Sequence, residues 1–187
     1  MTLRAMKAAC AALTLVISSV AFAEKAPDAV NGIVPELQAW GMDATLIAAV
    51  QAQNSSGMSL DDIKARDAEW RGVDGMDAGM TAMMESEAAK KLAAFEKTQP
   101  YFFEVFLMDN QGANVAMTNK TSDYWQGDEA KWQESFKGGA GAVHIGDVEF
   151  DESAQAYLVQ VSVPVMDGGA AIGAITIGIN LDELEAQ

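Results

Sequence analysis

The segment Thr118-Asn119-Lys120-Thr121-Ser122-Asp123-Tyr124-Trp125-Gln126-Gly127-Asp128-Glu129-Ala130-Lys131-Trp132 places two Trp, one Tyr and three carboxylates close together. Aromatic faces exclude water and grip apolar or cationic groups, while a few carboxylates and hydroxyls fix a ligand's orientation. Most connections are short and simply polar, so a connection of this length and make-up has the composition of a pocket lid. The competing reading has Trp125 and Trp132 plugging the end of a sheet and Asp123 capping the helix that follows. Lys120 and Lys131 could meet a carboxylate, but the three nearby acids outweigh them, which favours a cationic or neutral polar metabolite. Asp123, Gly127, Asp128 and Glu129 suggest an oxygen-rich loop, yet their spacing fails the EF-hand template.

Elsewhere the chemistry is sparse. One His and one Cys exclude every two-His and Cys/His zinc site within a single chain. The sequence has no G-x-S-x-G, P-loop, H-E-x-x-H or C-x-x-C. His144 is the one general-base candidate, with no identifiable nucleophile beside it, so neither enzyme activity, a cofactor nor a metal is expected. If His144 faces a ligand instead, its titration near neutral pH would make affinity pH-dependent. With 12 Lys+Arg against 27 Asp+Glu, the formal charge of −15 argues against binding nucleic acid or coating an anionic membrane.

The elements that must position these residues follow from patterning. Residues 1–23 read as a secretory leader, with Arg4 and Lys7 as the basic start, an uncharged stretch from Ala8 to Val20, and Ala21-Phe22-Ala23 as the cleavage site. The apolar run falls short of the roughly 20 residues needed to span a bilayer, so a periplasmic location is expected. Cys10, the single Cys, lies inside the leader. From 24 to 99 the pattern is helical. It predicts helices over Pro35–Trp40, Asp43–Gln53 and Ser59–Arg71, then a longer one from Asp77 to about Thr98 with Met80, Met83, Met84, Ala88, Leu92 and Phe95 on one face. From 100 to 187 the pattern predicts strands over Tyr101–Met108, Ala113–Asn119, Val143–Phe150, Ala156–Val165 and Ile172–Ile179, with a helical turn near Asp128–Phe136. Asp167-Gly168-Gly169 suits a hairpin turn. The expected class is α+β, with N-terminal helices packed on a five-stranded antiparallel sheet, and residues 24–187 forming one folded unit.

Three stretches carry a family resemblance: Phe106-Leu107-Met108-Asp109-Asn110-Gln111-Gly112, the Thr121 to Trp132 segment, and Val161-Ser162-Val163-Pro164-Val165 followed by Ile172-Gly173-Ala174-Ile175-Thr176-Ile177-Gly178. In this order after the helices, they resemble the single Cache (PDC-type) extracellular sensor domains, and the Asp123-Tyr124-Trp125 portion is similar to a secreted, stand-alone branch. The resemblance implies a PAS-like sheet with a small-molecule pocket under the loops after the second strand. Carried over, that geometry implies Asp123, Tyr124, Trp125 and Trp132 of the loop as the leading ligand contacts, with Met117 and Asn119 from the second strand, His144 from the third and Tyr157 from the fourth as second-tier candidates. The Tyr and Trp rings would form walls, Asp123 would accept hydrogen bonds from an amine or amide, and Asn119 or Thr121 would complete the polar contacts. Such domains usually sit between membrane helices that feed a kinase or chemoreceptor. Here signalling is expected to pass through a separate membrane receptor, kinase or transporter, and a homodimer on the long helix is compatible with the pattern. The alternative is a ligand-free interaction protein whose own Trp125 and Trp132 fill the pocket.

Overall fold

The computed structural model describes residues 24–152 and 154–187, so the expected leader and its cleavage site lie outside the described residues. Three helices come first: Asp28–Trp40 (α1), Ala44–Asn54 (α2) and Leu60–Gly72 (α3). Asp43 caps α2 by accepting from Thr45 N and Leu46 N, and Ser59 caps α3 by accepting from Asp62 N. α1 begins well before Pro35, because Val30 and Leu37 on either side of the proline are both fully buried.

The single long helix expected from Asp77 to Thr98 is instead two helices, Ala78–Glu85 (α4) and Glu87–Glu96 (α5). Ser86 turns out of the helix at φ −63°, ψ 160°, and its Oγ accepts from Ala89 N to start α5. The break has a packing cause. Met80, Met83 and Met84 belong to one core with Trp70 and Phe106, whereas Ala88, Leu92 and Phe95 belong to another with Trp40 and Phe102.

The strands are Phe102–Met108 (β2), Asn114–Met117 (β3), His144–Asp151 (β4), Ala156–Asp167 (β5) and Ala170–Asn180 (β6). A two-residue strand, Glu24–Lys25 (β1), pairs with Asp147 and Val148 of β4, so the described sheet has six strands rather than five. The order is β1-β4-β5-β6-β2-β3, antiparallel throughout. Gly168 and Gly169, at φ +56° and +89°, make the tight β5–β6 turn, whose two central residues must both take left-handed conformations. Two helices complete the fold, Ala130–Phe136 (α6) after the aromatic segment and Leu181–Glu185 (α7) after β6.

Alternation assigns the two faces of the sheet. Val105, Leu107, Val159, Val161, Val163, Val165, Ile175, Ile177 and Ile179 are buried with residues of α1, α2 and α5. On the opposite face Phe106, Met108, Met117 and Ala174 are buried with Ile63 and Trp70 of α3 and Met80 of α4. That second core fills only part of its face. Further along, this face turns polar, and the buried Ser162 Oγ and Thr176 Oγ1 hydrogen-bond at 2.7 Å between β5 and β6. No helix among the described residues is long and apolar enough to cross a membrane.

Candidate functional site

The polar part of the sheet is built around one glycine. Register places Glu104 of β2 and Gln160 of β5 on either side of Gly178 of β6. A Cβ at Gly178 would come within 2.7 Å of Glu104 Cγ, so the missing side chain lets Glu104 lie across β6. Gln160 Nε2 then donates to Glu104 Oε1 at 3.1 Å. Burial pushes the Glu104 carboxyl above its ordinary value, outweighing the Gln160 hydrogen bond and the nearby Lys131 charge. No Lys or Arg among the described residues forms an ion pair with it.

The segment from Thr118 to Trp132 roofs this floor and is held from two sides. Along the edge of β3, Asn114 N donates to Tyr124 O (2.9 Å), Gln126 N donates to Gly112 O (2.8 Å), and Trp125 forms a bridge with Ala113. The indole N–H groups of Trp125 and Trp132 donate to Gln111 O (2.8 Å) and Asp109 O (2.9 Å) in the β2–β3 turn. Gly112, at φ +83°, backs onto Gly127 so closely that a Cβ there would overlap the Gly127 backbone. From α3, the buried Asp67 Oδ1 accepts from Tyr124 N (2.9 Å) and Trp125 N (3.1 Å), while Oδ2 pairs with Arg71 at 2.7 Å. Trp70 Nε1 donates to Thr121 O at 2.8 Å. Lys120 reaches out of the roof and donates to Val73 O and Gly75 O, tying down the α3–α4 connection.

Between floor and roof lie two adjoining cavities. The inner one, about 240 Å³, is bounded by Glu104 and Phe106 below and by Thr121 and Gln126 above. The outer one, about 480 Å³, runs between β4 and the start of α6, past His144, Glu149 and Leu158. Lys131, Asp151 and Gln160 border both, so the two form one cleft with a waist. Lys131 Nζ pairs with Glu129 at 2.9 Å and stands 5.5 Å above the Phe106 ring. A third groove of about 290 Å³ opens between α3 and the roof, beside Lys64, Arg71, Asp123 and Trp125. Among the described residues no group of three His, Cys, Asp or Glu is placed to hold a metal ion.

The residues singled out from sequence are distributed unevenly over these spaces. Thr121 borders the inner cavity and His144 the outer one. Asp123 and Trp125 border the groove against α3, where Arg71 Nε stands 3.6 Å from Asp123 and Lys64 Nζ stands 4.7 Å above the Trp125 ring. Asp123 does not cap the following helix, since the N-cap position of α6 is Glu129 and no side chain caps it. Tyr124 and Met117 are in the core, and Trp132 packs against it while stacking on Phe136. Tyr124 lies against Trp70, and burial raises its phenol to about 12. Asn119 is exposed and donates to Phe103 O, and Tyr157 is exposed beside Phe150. The sequence reading passed over Glu104, Gln126 and Gln160 as cleft residues and considered Lys131, which borders both cavities, only as a cation for a ligand carboxylate. A lone acid inside the apolar run Phe102–Met108 and the polar alternates Gln160 and Ser162 between valines were the available signals.

Comparison with known proteins bears on this architecture. The family model of the methyl-accepting chemotaxis protein-like, first PDC sensor domain matches residues 76–186. Similar solved structures include the V. cholerae histidine kinase DctB sensor domain, at 14% identity and TM-score 0.44, covering 85% of this chain and 53% of that one. The sensory domain of the Campylobacter jejuni chemoreceptor Tlp3 with isoleucine bound is similar at 14% identity and TM-score 0.39, covering 85% and 64%. The ligand-binding domain of the Pseudomonas aeruginosa PAO1 amino acid chemoreceptor PctC in complex with GABA follows at 14% identity and TM-score 0.38, covering 84% and 64%. The chain thus spans between 53% and 64% of the length of these structures. No curated protein sequence matches it. With its match extending over residues 76–186, the chain belongs to the PDC sensor domains of the methyl-accepting chemotaxis protein-like family.

Proposed function

We propose that this protein is a periplasmic sensor module that binds a small polar metabolite, an amine, amino acid or urea-like compound, and passes its occupied state to a separate membrane receptor, kinase or transporter. The observation that carries this reading is the cleft itself. A sheet face that is otherwise closed by apolar packing is left open over Glu104 and Gln160, beneath a roof tied down from two sides, α3 and the β2–β3 turn. A rigid roof over a polar floor excludes bulk water while leaving directional groups for a ligand. Membership of a sensor family and the secretory pattern of residues 1–23 support the same reading.

A ligand that binds only the native state adds RT ln(1 + [L]/Kd) to stability, about 2.7 kcal/mol at a hundredfold excess over Kd. The test is a thermal-shift screen of the purified protein against isoleucine, GABA, other amino acids, simple amines, carboxylates and urea. A saturable rise of several degrees with one class of compound is expected. A flat response across the whole panel would overturn the reading in favour of the ligand-free interaction protein, and the search would move to protein partners.

A further inference from the structure

We propose that the inner cavity is an ammonium site, in which the Glu104 carboxylate and the Gln126 side-chain oxygen accept N–H bonds from a primary amine. The proposal rests on the sensor reading above and narrows its ligand to one class.

Gln126 is 1% exposed and borders the inner cavity. Its Nε2 donates to Asp123 O at 2.9 Å, which fixes the amide's orientation and leaves Oε1 as the acceptor. Oε1 is buried and has no hydrogen-bond partner. Buried acceptors are nearly always satisfied in folded proteins, so an orphan beside a cavity marks a donor still to come. Across the cavity Glu104 offers a carboxylate whose Oε1 is met by Gln160 Nε2 and which no cation pairs. Two acceptors of unlike charge, bordering one cavity, suit a group that carries several N–H donors and a positive charge.

The cationic residues at this cavity point the same way. Lys131 is engaged by Glu129, and Lys120 gives its hydrogen bonds to Val73 O and Gly75 O. A ligand carboxylate in the inner cavity would therefore face Glu104 without a free cation, and Gln126 Oε1 could donate nothing to it. The charged groups around Glu104 are Lys131 from α6, Asp151 from β4, Lys120 from the roof and Glu96 from α5. Because burial raises the Glu104 carboxyl, protons compete with the amine, and affinity falls as pH drops through that raised value.

Isothermal titration calorimetry on the purified protein tests this with n-butylamine, GABA and isoleucine as amines, butyrate and succinate as carboxylates, and urea. At least one amine is expected to bind, and Glu104→Gln is expected to weaken it tenfold or more. Replacing the bound amine by its N-trimethyl form keeps the charge and removes every N–H donor, and it is expected to abolish binding to the unaltered protein. That second measurement needs no variant and so stands even if Glu104→Gln fails to fold. Binding of carboxylates or urea alone would overturn the ammonium site while leaving the sensor reading intact. So would an amine that binds equally well to Glu104→Gln or after trimethylation. No binding by any of the compounds would overturn the sensor reading and the ammonium site with it.

Discussion

Asp67 is the side chain on which the roof depends most. It is 4% exposed, and one of its oxygens holds the backbone N–H groups of both Tyr124 and Trp125. Asp67→Ala removes the acceptor and strands two amides in a segment otherwise closed to water. Hydrogen bonds to a charged group are worth about 1.5–3 kcal/mol each. Both bonds share one oxygen and the vacated space admits some water, so the combined loss is about 3–5 kcal/mol. For a chain of this size that corresponds to a fall in Tm of roughly 10 °C. The ion pair with Arg71 contributes little to the sum, because the Arg71 side chain is 59% exposed. Urea unfolding of Asp67→Ala, Asp67→Asn and Arg71→Ala separates the two contributions. Asp67→Asn keeps an acceptor and should lose less than half as much, while Arg71→Ala should lose below about 1 kcal/mol. If Arg71→Ala cost as much as Asp67→Ala, the ion pair and not the backbone anchoring would hold the roof, and the argument would fail.

Three further outcomes are expected. The folded-state value of Glu104 is raised, so its stability contribution is complete below the unfolded carboxyl value and is lost as pH rises through the folded one. Glu104→Gln should therefore be more stable than the unaltered protein at neutral pH, with the difference vanishing in acid, and thermal melts across that range would show it. A Cβ at Gly127 would fall on Trp125 Nε1 and Gln111 O, the two atoms that bond there. Gly127→Ala should cost about 1–3 kcal/mol by overpacking, with a change in Trp fluorescence, and an unchanged urea midpoint would contradict that packing. Ser86→Ala removes the cap of α5 and should cost about 1 kcal/mol. A gain in stability instead would mean that α4 and α5 can merge, against the two-core explanation of the break.

What the sequence reveals and what it conceals divides along physical lines. The valine and isoleucine alternation of β5 and β6, the Gly168-Gly169 turn and the Ser59 cap are local signals, and each was readable because a neighbour or two decides it. β1 is a two-residue strand that exists only because β4 offers it an edge, so no local pattern announces it. The helix break at Ser86 also escapes periodicity, because both halves share one apolar stripe and only tertiary packing divides it between two cores. In the roof, aromatic composition singles out the segment, but composition cannot separate Tyr124, buried in the core, from Trp125, which borders a groove. Asp67 reads as one more solvated acid on a charged helix, and its burial is settled by a loop that follows much later in the chain. Glu104 and Gln160 needed register across Gly178 before they could be seen as one floor.

The strand order has a consequence for how the cleft comes into being. β2 pairs with β6, from which it is separated by β3, the roof, β4 and β5. Closing so long a loop is entropically slow, whereas the β5–β6 hairpin can form early from neighbouring residues. The floor of the inner cavity draws on β2, β5 and β6, so it is completed only when the last strand docks in the middle of the sheet. A ligand that needs this floor meets nothing to hold in a partly folded chain. Its stabilisation will therefore appear as slower unfolding and not as faster folding, and ligand occupancy will protect the protein by lengthening its lifetime against proteolysis.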